Sequence, residues 1–245
     1  METVNISRYL AWMEDYSPEL AQHCLNTAGI SFMIAESLDL SEKEITRIVV
    51  GAMLHDLGFL KIQRDTLHRP GPLTEREWRE VRRHPLMGLE IISQEKQLDP
   101  IQSMLLYHHE RWDGRGYFGL AGEKIPWEAR ILTLADALEA MSSPRPYRPA
   151  LSPRQLEEEI LRNSGSQFDP GLVQKVLFQD HHFSPLTCIC IGNLKTVISR
   201  EKKRLLELVD KYHSLNHPLV WAQSRRLDKL VVFSYRNSPW ENPWN

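Results

Sequence analysis

The chain has 245 residues, 42% of them hydrophobic and 25% charged, with a formal net charge of -2. This is ordinary globular composition, with room for one large core or for a domain of about 150 to 200 residues plus an appendage. It excludes a global attraction to nucleic acid or anionic membrane, a disulfide framework built on Cys24, Cys188 and Cys190, and a membrane-spanning run of about 18 apolar residues. The N-terminal stretch METVNISRYLAWMEDYS has no basic start followed by an apolar core, so the expectation is a soluble, unexported, cytoplasmic protein.

In chain order, helical spacing predicts elements over 5–15, 18–37, 41–57, 74–94, 98–110, 126–142, 152–163 and 170–178. Their start signals are legible. Ser17-Pro18 and Ser152-Pro153 put a capping hydroxyl before a first-turn proline, Asp169-Pro170 repeats the device with a carboxylate, and Ser41…Glu44 and Thr74…Glu77 are capping boxes. Two loops rich in Gly, Pro and charge, HRPGPLT (68–74) and DGRGYFGLAGEKIP (113–126), are long enough in such a fold to carry function. Beyond about residue 182 the texture changes. PLTCICIGN and KLVVFSY read as short buried strands and SREKKRLLELVDKYH as an amphipathic helix, which predicts a small C-terminal α+β appendage over 181–245. Its Cys188-x-Cys190 pair reads better as two small strand residues than as a metal site. REKKR reads as a solvated face, and the Trp240 and Trp244 tail as self-packed or frayed.

The chemistry lies in the helical part. An H-D dipeptide such as His55-Asp56 is common, and a histidine beside a capping carboxylate also describes an ordinary helix end. What raises the stakes is company. His23, His84 and the pair His108-His109 each sit at the apolar face or end of a helix, and Asp136 lies among apolar neighbours in ARILTLADALEAM. Burying that many polar groups requires partners, and metal ions satisfy them together. A mixed imidazole and carboxylate set suits Fe, Mn, Ni or Zn better than Ca or Mg. Five imidazoles and two carboxylates exceed what one tetrahedral ion needs, so at least two ions are expected, with a carboxylate able to bridge two of them. Such a pair generates a bridging hydroxide and stabilises phosphoryl displacement.

The order His23, His55-Asp56, His84, His108-His109, Asp136 resembles the HD superfamily of metal-dependent phosphohydrolases. The segments HRPGPLTEREWREVRRHPLMGLEII, HHERWDGRGYFGLAGEKIP and ARILTLADALEAMSSPRPYRPALS are closely similar to the HD-GYP domain, a bacterial module that hydrolyses cyclic di-GMP. The resemblance implies an all-α HD-domain helical bundle over about 16–180, after an N-terminal helix over 1–15. It also implies a centre of two or three divalent ions, most often iron or manganese, and pGpG or GMP as product. By position it puts the metal ligands on His23, His55, Asp56, His84, His108, His109 and Asp136, with Glu19 as the added ligand of trinuclear members. Asp56 and His55 carry the catalytic centre in that reading. Tyr117 takes the place of the GYP tyrosine, and Arg145 and Arg148 those of the phosphate-binding cations in RPYR.

The chain also departs from the family pattern. The lysine that usually follows HDxG is Phe59 here, Lys61 lies two residues on, and the GYP tripeptide reads Gly116-Tyr117-Phe118. The leading expectation is a cyclic di-GMP phosphodiesterase acting through a metal-bridged hydroxide. The alternatives are a degenerate module that binds cyclic di-GMP or a signalling protein without turnover, and a phosphohydrolase acting on another nucleotide. No nucleic-acid polymer and no membrane insertion is expected.

Overall fold

Ser17 opens the first long helix of the bundle: its side chain accepts from Leu20 N, and Pro18 begins α2 (Pro18–Ser37). Upstream of it α1 (Ile6–Tyr16) buries Tyr9, Met13 and Tyr16, one face at helical spacing. Ser41 and Glu44 form a reciprocal capping box at the start of α3 (Glu42–Leu54). The computed structural model describes residues 6–68, 71–144 and 149–178. The chain divides into two compact units, Met1–Thr187 and Cys188–Asn245, and every described residue lies in the first. The α+β appendage expected over 181–245, and Arg145 and Arg148, lie outside the described residues.

Among the described residues the architecture is all-α, with one isolated bridge between Ser164 and Phe168. The bundle continues through α4 (Arg64–His68), α5 (Glu75–Val81), α6 (His84–Ile92), α7 (Gln102–Tyr107), α8 (Trp127–Ser142), α9 (Pro153–Arg162) and α10 (Pro170–Phe178). At its centre α2 packs on both α3 and α8, and α7 joins α3 and α8. The core between them is fully buried: Ala28, Ile34, Ile48, Leu54, Met104, Leu105, Ile131, Leu132 and Leu134. No described helix is long and apolar enough to cross a membrane.

Three boundaries differ from the periodic reading, each for a reason in the chain. The stretch 74–94 is two helices with a turn at Arg82 and Arg83, because Pro85 lacks an N–H and fits only the first turn of a helix. The break turns His84 from a mid-helix residue into the first residue of α6. Pro100 similarly confines Lys96–Ile101 to a 3-10 turn before α7. The third helix stops at Leu54, leaving His55 as its C-cap and Asp56 at the start of a second 3-10 turn, Leu57–Lys61. The helix α4 carries no start signal strong enough to have been read from sequence.

Gly58 explains how these turns meet. A Cβ at this position would lie 1.9 Å from the His84 carbonyl oxygen and 2.7 Å from Gly88 N. Only glycine lets the turn after Asp56 lie against the start of α6, so two ligand-bearing backbones are in direct contact.

Candidate metal centre

Three helix ends and two helix interiors converge on Asp56. His55 is the C-cap of α3, His84 begins α6, and His108 is the C-cap of α7. His23 comes from the second turn of α2 and Asp136 from the middle of α8. His55, His84 and His108 are each 0% exposed, and Asp56 is 7% exposed.

The helix ends also set the imidazole orientation. His55 Nδ1 lies 2.7 Å from Ala52 O, His84 Nδ1 2.8 Å from Val81 O and His108 Nδ1 2.8 Å from Leu105 O. Each ring donates Nδ1–H to the carbonyl three residues earlier, a partner that only the last turn of a helix or a break leaves available. In each neutral ring the lone pair is left on Nε2, pointing inward. His23 follows the same rule with a side-chain partner: Nδ1 lies 2.6 Å from Glu139 Oε2. Glu139 is 4% exposed and also accepts from Asn26 Nδ2 at 3.1 Å and Ser143 Oγ at 2.7 Å. It is a carboxylate that orients a histidine from behind.

Inward, Asp56 divides its oxygens. Oδ1 lies 3.2 Å from His84 Nε2 and 3.7 Å from His108 Nε2, whereas Oδ2 lies 3.4 Å from His55 Nε2 and 3.6 Å from His23 Nε2. Two sets of potential ligands result, Asp56 with His84, His108 and His109, and Asp56 with His23 and His55, each with its ligand atoms within 4.8 Å of one another. Asp136 Oδ1 adjoins the second set, 3.1 Å from His23 Nε2 and 4.0 Å from His55 Nε2.

These residues fit a metal, on two observations. First, His55 Nε2 and Asp56 Oδ1 are buried with no hydrogen-bond partner among the described residues; their neighbours stand at ion-pair range without hydrogen-bond alignment. A buried polar atom left so costs about 1 to 3 kcal/mol. Second, His84 Nε2 and His108 Nε2 are 3.1 Å apart although both rings already donate from Nδ1, so neutral rings bring two lone pairs face to face. A cation relieves both.

Electrostatics divide the cluster the same way. Burial lowers the pKa of His23, but its hydrogen bonds to Asp136 and Glu139 outweigh this and hold it at about 10. Burial would raise Asp136; the hydrogen bond from His23 and the charges of His55 and His23 hold it far below the usual carboxylate range. Asp56 is likewise held down against burial by His55, His108 and His84, and His55 is held up by Asp56. Burial pushes His108 down, and burial with the adjacent His108 pushes His109 well down, so both rings stay neutral, as a ligand must.

Around the centre, Phe59 stacks on His84 with ring centroids 4.4 Å apart and 12° between the planes. The phenol ring of Tyr117 lies 4.6 Å from His109, with the Arg82 guanidinium 5.6 Å from its centroid. Glu110, 1% exposed, places this tyrosine: its carboxylate accepts from Phe118 N at 2.6 Å and Leu120 N at 2.7 Å. A Cβ on Gly116 would lie 2.5 Å from Glu110 Cα, so the loop closes this tightly only on glycine. Beside Tyr117 a cavity of about 540 Å³ opens from His109 and Asp136 toward α9.

Two further expected residues have partners of their own. Exposed Lys61 donates to Glu90 Oε2 at 2.6 Å on the surface. Glu19, also exposed, accepts from Ser17 Oγ at 2.8 Å and belongs to neither ligand set. Glu139, Glu110 and Arg82 were not singled out by sequence; Glu139 stands on the face of its helix one turn after Asp136, and that spacing is the signal that was there to find.

A profile of the HD domain family matches residues 10–172. The chain belongs to the HD domain family. A cyclic di-GMP phosphodiesterase response regulator of Xanthomonas campestris, RpfG, is 40% identical over 175 residues, which is 70% of this chain and 46% of that protein. A cyclic di-GMP phosphodiesterase of Thermotoga maritima is 37% identical, over 65% of this chain and 44% of the relative. A 3'3'-cGAMP-specific phosphodiesterase of Vibrio cholerae is 33% identical, over 67% and 32%. This HD domain protein thus spans less than half the length of these relatives. Among solved structures, the HD domain of the Listeria monocytogenes phosphodiesterase PgpH superposes with a TM-score of 0.53 at 17% identity, over 77% of this chain and 98% of that one. It supports the helical fold that the sequence resemblance implied.

Proposed function

We propose that this HD domain is a phosphodiesterase that hydrolyses cyclic di-GMP to pGpG or GMP, and that Asp56 and the imidazoles around it would hold two or three divalent ions, iron or manganese. The observation that carries the reading is the division of Asp56, Oδ1 toward His84 and His108 and Oδ2 toward His23 and His55. A carboxylate between two imidazole sets is the arrangement that a pair of ions requires. When bound, such ions supply Lewis acidity and activate water near neutral pH.

The protein's own contribution is orientation and exclusion. Backbone carbonyls and Glu139 fix the imidazoles in the tautomer that faces inward. His109 and Asp136 border the cavity, so a phosphodiester lying there reaches the ligand cluster directly. Tyr117, whose phenol burial pushes up in pKa, stays neutral and forms the wall against which the dinucleotide rests. Names of the relatives support a cyclic dinucleotide substrate, and include both cyclic di-GMP and 3'3'-cGAMP enzymes. Arg145 and Arg148 are proposed phosphate contacts on resemblance alone. The reading takes residues 16–180 as the hydrolase domain and places the reaction in the cytoplasm.

The test is anaerobic purification, metal determination by mass spectrometry, and chromatography of cyclic di-GMP beside an Asp56→Ala control. Two or more metals per chain with turnover lost in the variant supports the proposal; full occupancy without turnover of any cyclic dinucleotide overturns it. A second reading, binding without turnover, is favoured by one observation. Phe59 stacks on His84 where family members carry a lysine, and Lys61 is engaged with Glu90. Binding of cyclic di-GMP by a fully metallated, inactive protein would establish it.

A further inference from the structure

The cavity beside the metal centre has a second end that the chemistry of phosphodiester cleavage leaves unused. From His109 and Asp136 it extends along one face of α8, where Ala137, Ala140 and Met141 recur at helical spacing, to Phe168, Glu159 and Asn163. The α8 residues and Phe168 give the cavity one apolar side, with Thr133, Arg111 and Gln167 among the polar groups that complete its lining. The far end is polar. Glu159 on α9 and Asn163, its C-cap, are one turn apart, and the buried Leu156 and Ile160 seat the helix against the bundle.

Glu159 is held in place before any ligand arrives. Oε1 accepts from Asn163 Nδ2 at 2.9 Å and Oε2 from Arg162 Nη1 at 2.7 Å. A carboxylate has about four acceptor sites, so each oxygen keeps one lone pair for a visitor. A slot with one apolar side and a fixed carboxylate at its far end, opening from the proposed site of phosphodiester cleavage, has the chemistry of a nucleobase seat.

We infer that this cavity holds a base of the dinucleotide and that Glu159 selects guanine. Guanine presents two adjacent donors, N1–H and N2–H, which match a carboxylate in bidentate fashion. Adenine offers an unprotonated N1 at the same place, an acceptor against an acceptor, and leaves the carboxylate unmatched. The inference rests on the cyclic dinucleotide reading and sharpens it: a base seated here is guanine, whether the partner nucleotide carries guanine or adenine.

The experiment compares the metal-loaded full chain with Glu159→Ala and Glu159→Gln on cyclic di-GMP, cyclic di-AMP and bis(p-nitrophenyl) phosphate, a phosphodiester with no nucleobase. Wild-type protein should prefer cyclic di-GMP, and Glu159→Ala should lower its kcat/KM by about 10- to 100-fold, mainly through KM, the usual effect of losing one charged hydrogen-bonding group. Cleavage of the base-free ester should be unchanged in both variants, which a general disturbance of the fold or of the metals would not allow. Equal losses on both esters, or no loss on cyclic di-GMP, would overturn the inference. Calorimetry with 5'-GMP and 5'-AMP adds a readout free of turnover: wild type should bind GMP more tightly by tenfold or more, and Glu159→Ala should bind the two alike. If no cyclic dinucleotide is cleaved, the phosphodiesterase proposal fails while the calorimetric comparison still decides the seat; equal binding of GMP and AMP by the wild type refutes it.

Discussion

Replacing Glu139 tests whether the metal centre is set from behind. The residue is 4% exposed and its carboxylate takes Nδ1–H from His23 at 2.6 Å, with Asn26 and Ser143 as further donors. Asn26 is exposed and can turn to water, so the group orphaned by Glu139→Ala is His23. Loss of a carboxylate behind a metal-bound histidine lowers metal affinity by about 10- to 100-fold, or roughly 1.4 to 2.8 kcal/mol. Glu139→Gln keeps an acceptor without the charge and should lose about tenfold, the smaller end of that range. The measurement is anaerobic competition for Fe(II) or Mn(II) against a chromophoric chelator, with circular dichroism to show that each variant is folded. Folded variants that bind both metals with wild-type affinity would refute the claim that Glu139 positions a ligand. Equal losses in the Gln and Ala variants would assign the effect to charge rather than to orientation.

Further expectations follow from the same geometry. Phe59→Lys puts a cation where the family has one and should raise kcat/KM on cyclic di-GMP by about tenfold. It should also lower Tm through loss of the His84 stack, worth about 0.5 to 1.5 kcal/mol. Lys61→Ala should leave both unchanged, because the Lys61–Glu90 pair is exposed and such pairs contribute less than about 1 kcal/mol. In metal-free protein His23 is raised from 6.5 to about 10, so its contribution to stability is complete below about pH 6.5 and is lost as pH rises through 10. Thermal denaturation should show Tm of the metal-free form falling over that window and a flatter profile with metal bound. For the same reason, metal uptake near pH 8 should release a proton, seen as a dependence of the calorimetric heat on buffer ionisation enthalpy. Glu110→Ala leaves Phe118 N and Leu120 N without their acceptor, at about 1 to 3 kcal/mol, and should raise hydrogen exchange over residues 113–126. Wild-type exchange in that loop would contradict the role given to Glu110.

Much of this was legible before any coordinates, because it rests on short-range rules. Ser17, Ser41, Thr74 and Ser152 cap helices as read, since a capping hydroxyl needs only the next few residues. His23, His55, Asp56, His84, His108, His109 and Asp136 are brought together as a group, because polar side chains at apolar helix ends have few other ways to be satisfied. What escaped was long-range. Glu139 reads as any helical glutamate until α2 is laid across it, 116 residues away in sequence. Lys61 is near Asp56 in sequence, but the 3-10 turn after Gly58 carries it out to Glu90. The break before His84 was signalled by Pro85, and the periodicity on either side concealed it.

The stacked Phe59 has a consequence for traffic. His84 is covered on one face by that ring, and with His55 and His108 it is sealed from solvent, while His23, His109 and Asp136 are only partly covered. Among the described residues, a cavity opens on the side of His109 and Asp136. On the proposed function, ions and nucleotide entering by this cavity would share a doorway, and a nucleotide lying in it would also be a stopper. Exchange of metal with the surroundings would then be fastest with no nucleotide bound, and a steady supply of nucleotide would keep the metals in.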